Sequence, residues 1–62
     1  MPVVTISGND EINKEEKEIM VKEVTKIVAT TYKLPEQAIT ILIEEYSKDN
    51  IGSGGYLLSS KQ

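Results

Sequence analysis

Residues 38–46 read AITILIEEY, and the apolar run from Ile39 to Ile43 within them decides the fold. A nearly continuous run of β-branched and aliphatic side chains is typical of a strand that is covered on both faces. Pro35 lies just upstream and disfavours helical backbone at Leu34, so this stretch is separate from the segment that precedes it. We therefore predict a strand over residues 38–46.

A second strand is predicted at the start of the chain, over residues 2–7, PVVTIS. Its side chains are mostly β-branched and alternate, so Val4 and Ile6 share one face while Val3, Thr5 and Ser7 share the other. A proline at the first strand position needs no ladder donor. Residues 8–10 should end the strand, because glycine, asparagine and aspartate favour turns.

A helix is predicted between the two strands. Asn13, with Glu16 three residues later, is a typical helix-capping pair, and Pro35 should end the helix near Tyr32 or Lys33. Apolar residues recur at three- and four-residue spacing, which indicates a face that packs on a sheet. This predicted stripe comprises Met20, Val21, Val24, Ile27, Val28 and Thr31.

The order strand, helix, strand predicts an α+β fold in one domain, residues 1–62, with parallel strands and a right-handed crossover. A single helix covers only one face of the sheet, so we expect another subunit to cover the other. The tail, residues 51–58, reads IGSGGYLL. Because no helical pattern follows its glycines, it predicts a turn or short hairpin docked on a neighbour rather than a phosphate loop.

Composition narrows the function. The 62 residues include no cysteine, histidine, tryptophan or phenylalanine, and a chain this short has a marginal core, which favours self-association. The net charge is −3, with seven lysines and no arginine, so no basic face for nucleic acid is visible. No apolar run is long enough to cross a membrane and no signal peptide is evident, so we expect a cytoplasmic protein.

The same composition leaves few groups for catalysis. Histidine- and cysteine-based nucleophile systems and thiolate metal sites are impossible. Glu44 and Glu45 are adjacent on a strand and point to opposite faces, so a solvated strand end or an inter-subunit salt bridge is expected there. Pro2 remains. Without Met1 it would carry a secondary amine, and an apolar setting would lower the pKa of such a group below the usual value of about 7.7–8.0. That amine could act as a general base.

The whole chain resembles the 4-oxalocrotonate tautomerase family of the tautomerase superfamily. The resemblance lies in the Met-Pro start and its strand, in EEKEIMVKEVTKIV on a helix, in LPEQAITILIEEY on a strand, and in NIGSGG in the tail. It implies a β-α-β fold with a C-terminal hairpin, assembled as a homohexamer that is a trimer of dimers. It also implies that Pro2 is the catalytic base on an enol or dienol 2-oxoacid, with no metal or organic cofactor.

The chain departs from that family at the substrate-holding positions. Family members that act on dicarboxylates use two arginines, whose places are taken here by Ile12 and Thr40, and an aromatic residue whose place is taken by Ile51. The resemblance also suggests backbone N–H groups near Asn9 and Ala38 as ligands for substrate oxygens. Further candidates to replace the arginines are Lys14, Lys17, Lys48 and Tyr46.

Three functions stay open on the sequence. The first is a cofactor-independent tautomerase that acts through Pro2. The second is other chemistry of the same proline, either hydration or imine formation, in which a charged Pro2 would act as an acid and a neutral Pro2 as a base or nucleophile. The third is a small oligomeric binding module without strong catalysis.

Overall fold

The computed structural model describes residues 1–60, and it has the predicted α+β architecture. Two parallel strands are joined by one long helix, and a short antiparallel hairpin follows. The elements are β1 (Val3–Asn9), α1 (Lys14–Tyr32), a 3₁₀ turn (Glu36–Ala38), β2 (Thr40–Tyr46), a second 3₁₀ turn (Lys48–Asn50), β3 (Gly52–Ser53), β4 (Tyr56–Leu57) and a third 3₁₀ turn (Leu58–Ser60).

The strand pairing begins at Val3 opposite Thr40 and continues to Asn9 opposite Tyr46. β1 is therefore longer than predicted, because the parallel ladder continues through residues 8 and 9 instead of ending at residue 7. β2 begins two residues later than predicted. The backbone of residues 36–38 forms a 3₁₀ turn, in which the Ala38 N–H donates to the Pro35 carbonyl at 3.0 Å.

The ends of α1 agree with the prediction. The Asn13 side-chain oxygen accepts a hydrogen bond from the Glu16 N–H at 2.8 Å, and the Glu16 carboxylate accepts one from the Asn13 N–H at 2.9 Å. This reciprocal pair satisfies two backbone donors that a helix start otherwise leaves free. At the other end, Lys33 adopts a left-handed conformation with φ of 58°, which ends the helix ahead of Pro35.

One face of the sheet is covered by α1. Alternate strand residues are half-buried on that face, as are the helix residues opposite them: Val4, Ile6, Ile41, Ile43, Met20, Val21, Val24 and Val28. The predicted stripe was wrong at its edge, because Ile27 is 65% exposed and Thr31 is also exposed. Seven residues make almost two full turns of a helix, so Ile27 projects only about 20° away from Met20. That rotation is directed away from the middle of the half-buried helix face. Ala29 is buried.

The other face of the sheet is open in the protomer. Val3 is 51% exposed and Leu42 is 49% exposed, and Thr5, which pairs with Leu42, is exposed on the same face. Apolar side chains of the hairpin, Tyr56 and Leu57, are exposed as well. The open sheet face and the hairpin therefore leave apolar side chains of the protomer exposed to solvent. No helix within residues 1–60 is long and apolar enough to span a bilayer.

Candidate functional site

Pro2 lies directly before β1 and is half-buried, whereas Met1 is 90% exposed. The Pro2 carbonyl accepts a hydrogen bond from the Thr40 N–H at 3.2 Å, which adds Pro2 to the ladder between the strands. The Pro2 nitrogen takes no part in that ladder, because a proline amide has no hydrogen to donate. The residue is thus held in place by its carbonyl, and its nitrogen is not needed for the fold.

Two other predicted site residues lie at the same end of the sheet. Thr40, the first residue of β2, is exposed and pairs with Val3. Ala38 is half-buried in the 3₁₀ turn, where its N–H already donates to Pro35. Ile39 between them is half-buried too. Together these residues give the Pro2 end of the sheet apolar side chains, one exposed hydroxyl and no charged group of its own.

The remaining predicted residues, Asn9 and Ile51, lie at the opposite end of the sheet. Asn9 is the last residue of β1, and its side-chain oxygen accepts a hydrogen bond from the Glu11 N–H at 3.3 Å. Ile51 is half-buried after the second 3₁₀ turn, and its carbonyl accepts a hydrogen bond from the Leu58 N–H at 2.8 Å. Seven residue steps separate Asn9 from Pro2, which is about 23 Å along an extended strand.

The protomer therefore brings together only part of the predicted site. Pro2, Ala38 and Thr40 lie close to one another in the fold. Asn9 and Ile51 are too far away along the same chain to touch a small molecule bound at Pro2. They could meet it only if a second copy placed its own Asn9 end against the Pro2 end of the first.

Two of the three charged candidates for substrate binding form ion pairs within the protomer, and the third, Lys14, is the exposed first residue of α1. The Lys17 ammonium lies 2.6 Å from the Glu45 carboxylate, and the Lys48 ammonium lies 3.2 Å from that of Glu11. The Lys17–Glu45 pair joins α1 to the covered face of β2, so Glu45 forms its salt bridge within the chain. The inter-subunit bridge that we considered from the sequence is not needed to explain Glu45.

Glu44 points to the open face of the sheet, opposite to Glu45, as predicted from strand geometry. It accepts a hydrogen bond from the Ser7 hydroxyl at 2.7 Å and a longer one from the Tyr46 hydroxyl at 3.4 Å. Sequence reasoning did not pair Ser7 with Glu44. The pair could be identified only with the strand register. Once Val3 is known to pair with Thr40, Ser7, four residues further along β1, lies opposite Glu44.

The hairpin carries a shallow cavity of about 360 Å³, which is lined by residues 52–57. Its lining has backbone and glycine surface with Tyr56 and Leu57 but no charged side chain. It follows the end of β2 that is remote from Pro2, so we do not assign it to the proline site. Within residues 1–60, no group of three or more histidine, cysteine, aspartate or glutamate side chains is arranged to hold a metal ion.

Comparison with known sequences gives a consistent result. The sequence model of the family described as tautomerase enzyme matches residues 2–61. A probable tautomerase of Bacillus cereus is 38% identical over 61 residues, which cover 98% of this chain and 100% of that protein. The 2-hydroxymuconate tautomerase of Pseudomonas putida is 30% identical over 59 residues, which cover 95% of this chain and 94% of that enzyme.

Solved structures show the same relationship. A homologue of 4-oxalocrotonate tautomerase superposes with a TM-score of 0.89 at 33% identity, and the match covers 98% of this chain and 100% of that one. A heterohexameric 4-oxalocrotonate tautomerase from Chloroflexus aurantiacus superposes with a TM-score of 0.88 at 16% identity, with all of both chains covered. At that identity the second match concerns the fold alone.

Proposed function

Because the chain belongs to the tautomerase enzyme family, we propose that it is a cofactor-independent tautomerase that uses the amine of Pro2 on an enol or dienol of a 2-oxoacid. The observation that carries this proposal is the way Pro2 is held. Its carbonyl is fixed by Thr40 at 3.2 Å while its nitrogen is free of any structural role. Removal of Met1, which is 90% exposed, would turn that nitrogen into a secondary amine without breaking the hydrogen bond.

The amine would serve as a general base in its neutral form. Its surroundings at the end of the sheet are apolar, with the half-buried Ile39 and Ala38 nearby. Desolvation disfavours the ammonium form of an amine and so lowers its pKa. Activity should therefore rise with pH as the ammonium loses its proton; desolvation moves the midpoint below the usual α-amino range of about 7.7–8.0, and carboxylates presented by a partner copy would move it back up.

The proposed reaction moves one proton and needs no oxidant or reductant. The enol O–H bond breaks as the Pro2 nitrogen takes the proton, and the oxygen electron pair forms the carbonyl double bond. The displaced π electrons form a new C–H bond with the proton that the ammonium of Pro2 returns. In a dienol, the carbon that receives the proton is either the one at the far end of the conjugated system or the one in its middle. Pro2 ends the cycle unchanged.

We place the complete site between copies of the chain. Asn9 lies about 23 Å from Pro2 along β1, and Ile51 follows the end of β2 that pairs with Asn9, so their proposed contacts with substrate require another subunit. A homohexamer built as a trimer of dimers would supply such contacts and would cover the open sheet face at Val3 and Leu42.

The proposal is tested by kinetics on protein whose intact mass shows that Met1 is absent. Phenylenolpyruvate and 2-hydroxymuconate serve as substrates for the wild type, for Pro2→Ala and for a control, Pro35→Ala. The ring of Pro2 fixes the direction of its nitrogen, so we expect Pro2→Ala to lower kcat/KM by about tenfold to a hundredfold. Pro35→Ala changes the other proline of the chain and should retain most activity.

Equal rates for the wild type and Pro2→Ala would refute the tautomerase proposal. Reduction with borohydride in the presence of a 2-oxoacid separates the remaining alternatives. A mass increase on Pro2 that equals the mass of the reduced imine adduct would favour imine chemistry. Binding without turnover or adduct would favour a small binding module.

A further inference from the structure

The substrate-binding surface must be built without arginine. The chain contains none, and an assembly of identical copies adds only the same residues again. Arginine binds a carboxylate through two parallel hydrogen bonds, whereas a lysine ammonium offers a strongly hydrated point charge. A shared site between subunits therefore gains no bidentate carboxylate partner, however the copies are arranged.

Two of the lysines near the Asn9 end of the sheet already have carboxylate partners. Lys17 is paired with Glu45 at 2.6 Å and Lys48 with Glu11 at 3.2 Å. To bind either of these two ammonium groups, a substrate carboxylate would have to displace a protein carboxylate. Asp10 lies beside Glu11 in the loop after β1. The end of the sheet that a partner copy would present to Pro2 is thus rich in carboxylates.

The Pro2 end offers mainly neutral donors. The exposed Thr40 side chain is a hydroxyl, and the Ala38 N–H is already used in the 3₁₀ turn. The charged residues closest in sequence to this end are Lys33 and Glu36, one of each sign. The whole chain carries a net charge of −3, which adds a repulsive field for anions.

From these features we infer that the site selects enols with at most one carboxylate and disfavours dicarboxylates. This inference rests on the proposed tautomerase function and specifies its substrate class. It sets the chain apart from its relative named 2-hydroxymuconate tautomerase, since 2-hydroxymuconate carries two carboxylates. One carboxylate is accepted because lysine and the neutral donors can solvate it at the rim, whereas a second one finds no bidentate partner in a chain without arginine.

A matched pair of dienols tests the inference. 2-Hydroxymuconate and 2-hydroxy-2,4-pentadienoate share the same dienol and differ by one terminal carboxylate. We expect kcat/KM of the Met1-free protein to be about tenfold or more higher for the monocarboxylate at low ionic strength. Added salt should narrow the ratio, because screening weakens the repulsion of the dianion more than that of the monoanion.

Two variants sharpen the test. Thr40→Arg adds a guanidinium beside Pro2 and should raise the relative rate on the dicarboxylate by about tenfold, since it supplies the missing bidentate partner. Glu23→Gln makes the same change in net charge at an exposed position in the middle of α1, on the face away from the sheet. It should change the ratio by less than about twofold, because a distant surface charge is screened.

The outcomes separate the two proposals. Turnover that depends on Pro2 but is equal or faster for the dicarboxylate overturns the substrate inference and leaves the tautomerase proposal standing. If the wild type turns over neither dienol faster than Pro2→Ala does, the substrate inference and the tautomerase proposal are both overturned. Should Thr40→Arg fail to fold, the wild-type ratio and its salt dependence still decide, and a ratio near one at all salt concentrations contradicts the inference.

Discussion

Replacement of Leu42 by alanine should weaken the proposed assembly by an amount that the structure allows us to calculate. Leu42 is 49% exposed on the open face of the sheet, so about half of its side chain remains for another copy to cover. Full burial of a leucine contributes roughly 1.5–3 kcal/mol, so this half contributes about 1 kcal/mol per copy. In a hexamer the six copies together lose about 6 kcal/mol of assembly free energy. Because six copies associate in five steps, this is about 1.2 kcal/mol for each step. The concentration at half-assembly should rise about sevenfold.

Sedimentation velocity over a dilution series measures that concentration. Ile19→Ala is the matched control, because it removes the same number of carbon atoms from a side chain that is 65% exposed on the face of α1 away from the sheet. Its midpoint should stay within about twofold of the wild type, since exposed substitutions have small effects. An unchanged midpoint for Leu42→Ala, or an equal shift for Ile19→Ala, would refute burial of the open sheet face by another copy.

Two further predictions concern the folded chain. Asn13→Ala removes the 2.8 Å hydrogen bond that caps the helix at Glu16, and it should lower the free energy of unfolding by about 1 kcal/mol in urea titrations at fixed protein concentration. Glu18→Ala is the control. Equal losses of stability in the two variants would argue against the cap. Gly54 has φ of +61° with open space around its Cβ position, so Gly54→Asn should be tolerated while Gly54→Val lowers stability by roughly 1–2 kcal/mol in the same titration. Equal stability of these two glycine variants would contradict the argument from backbone strain.

The sequence predicted the main elements because local signals agreed with one another. The Asn13 and Glu16 pair identified the helix start, and Pro35 identified the region where the helix ends. The strand boundaries were less accurate, because they depend on pairing rather than on local preference. Ala38 was the first residue of the predicted strand, yet its N–H donates to the Pro35 carbonyl and it lies in the 3₁₀ turn before β2.

Long-range contacts were beyond local sequence patterns. Lys17 and Glu45 are 28 positions apart, and their ion pair forms only because the crossover lays the start of α1 over the end of β2. Ile27 has helical spacing suited to the predicted stripe, but the direction in which α1 sits on two strands leaves it exposed. The division of the predicted site residues between the two ends of the sheet likewise follows from the parallel register.

The central claim is that a free amine on Pro2 is the catalytic base. The most direct test compares kcat/KM of two preparations that differ only in the presence of Met1, as verified by intact mass, on the same monocarboxylate dienol. In the form that retains Met1 the Pro2 nitrogen is an amide and cannot accept a proton. We predict that removal of Met1 raises kcat/KM by about 10²- to 10⁴-fold, the usual contribution of a general base. Equal activity of the two forms would contradict the account.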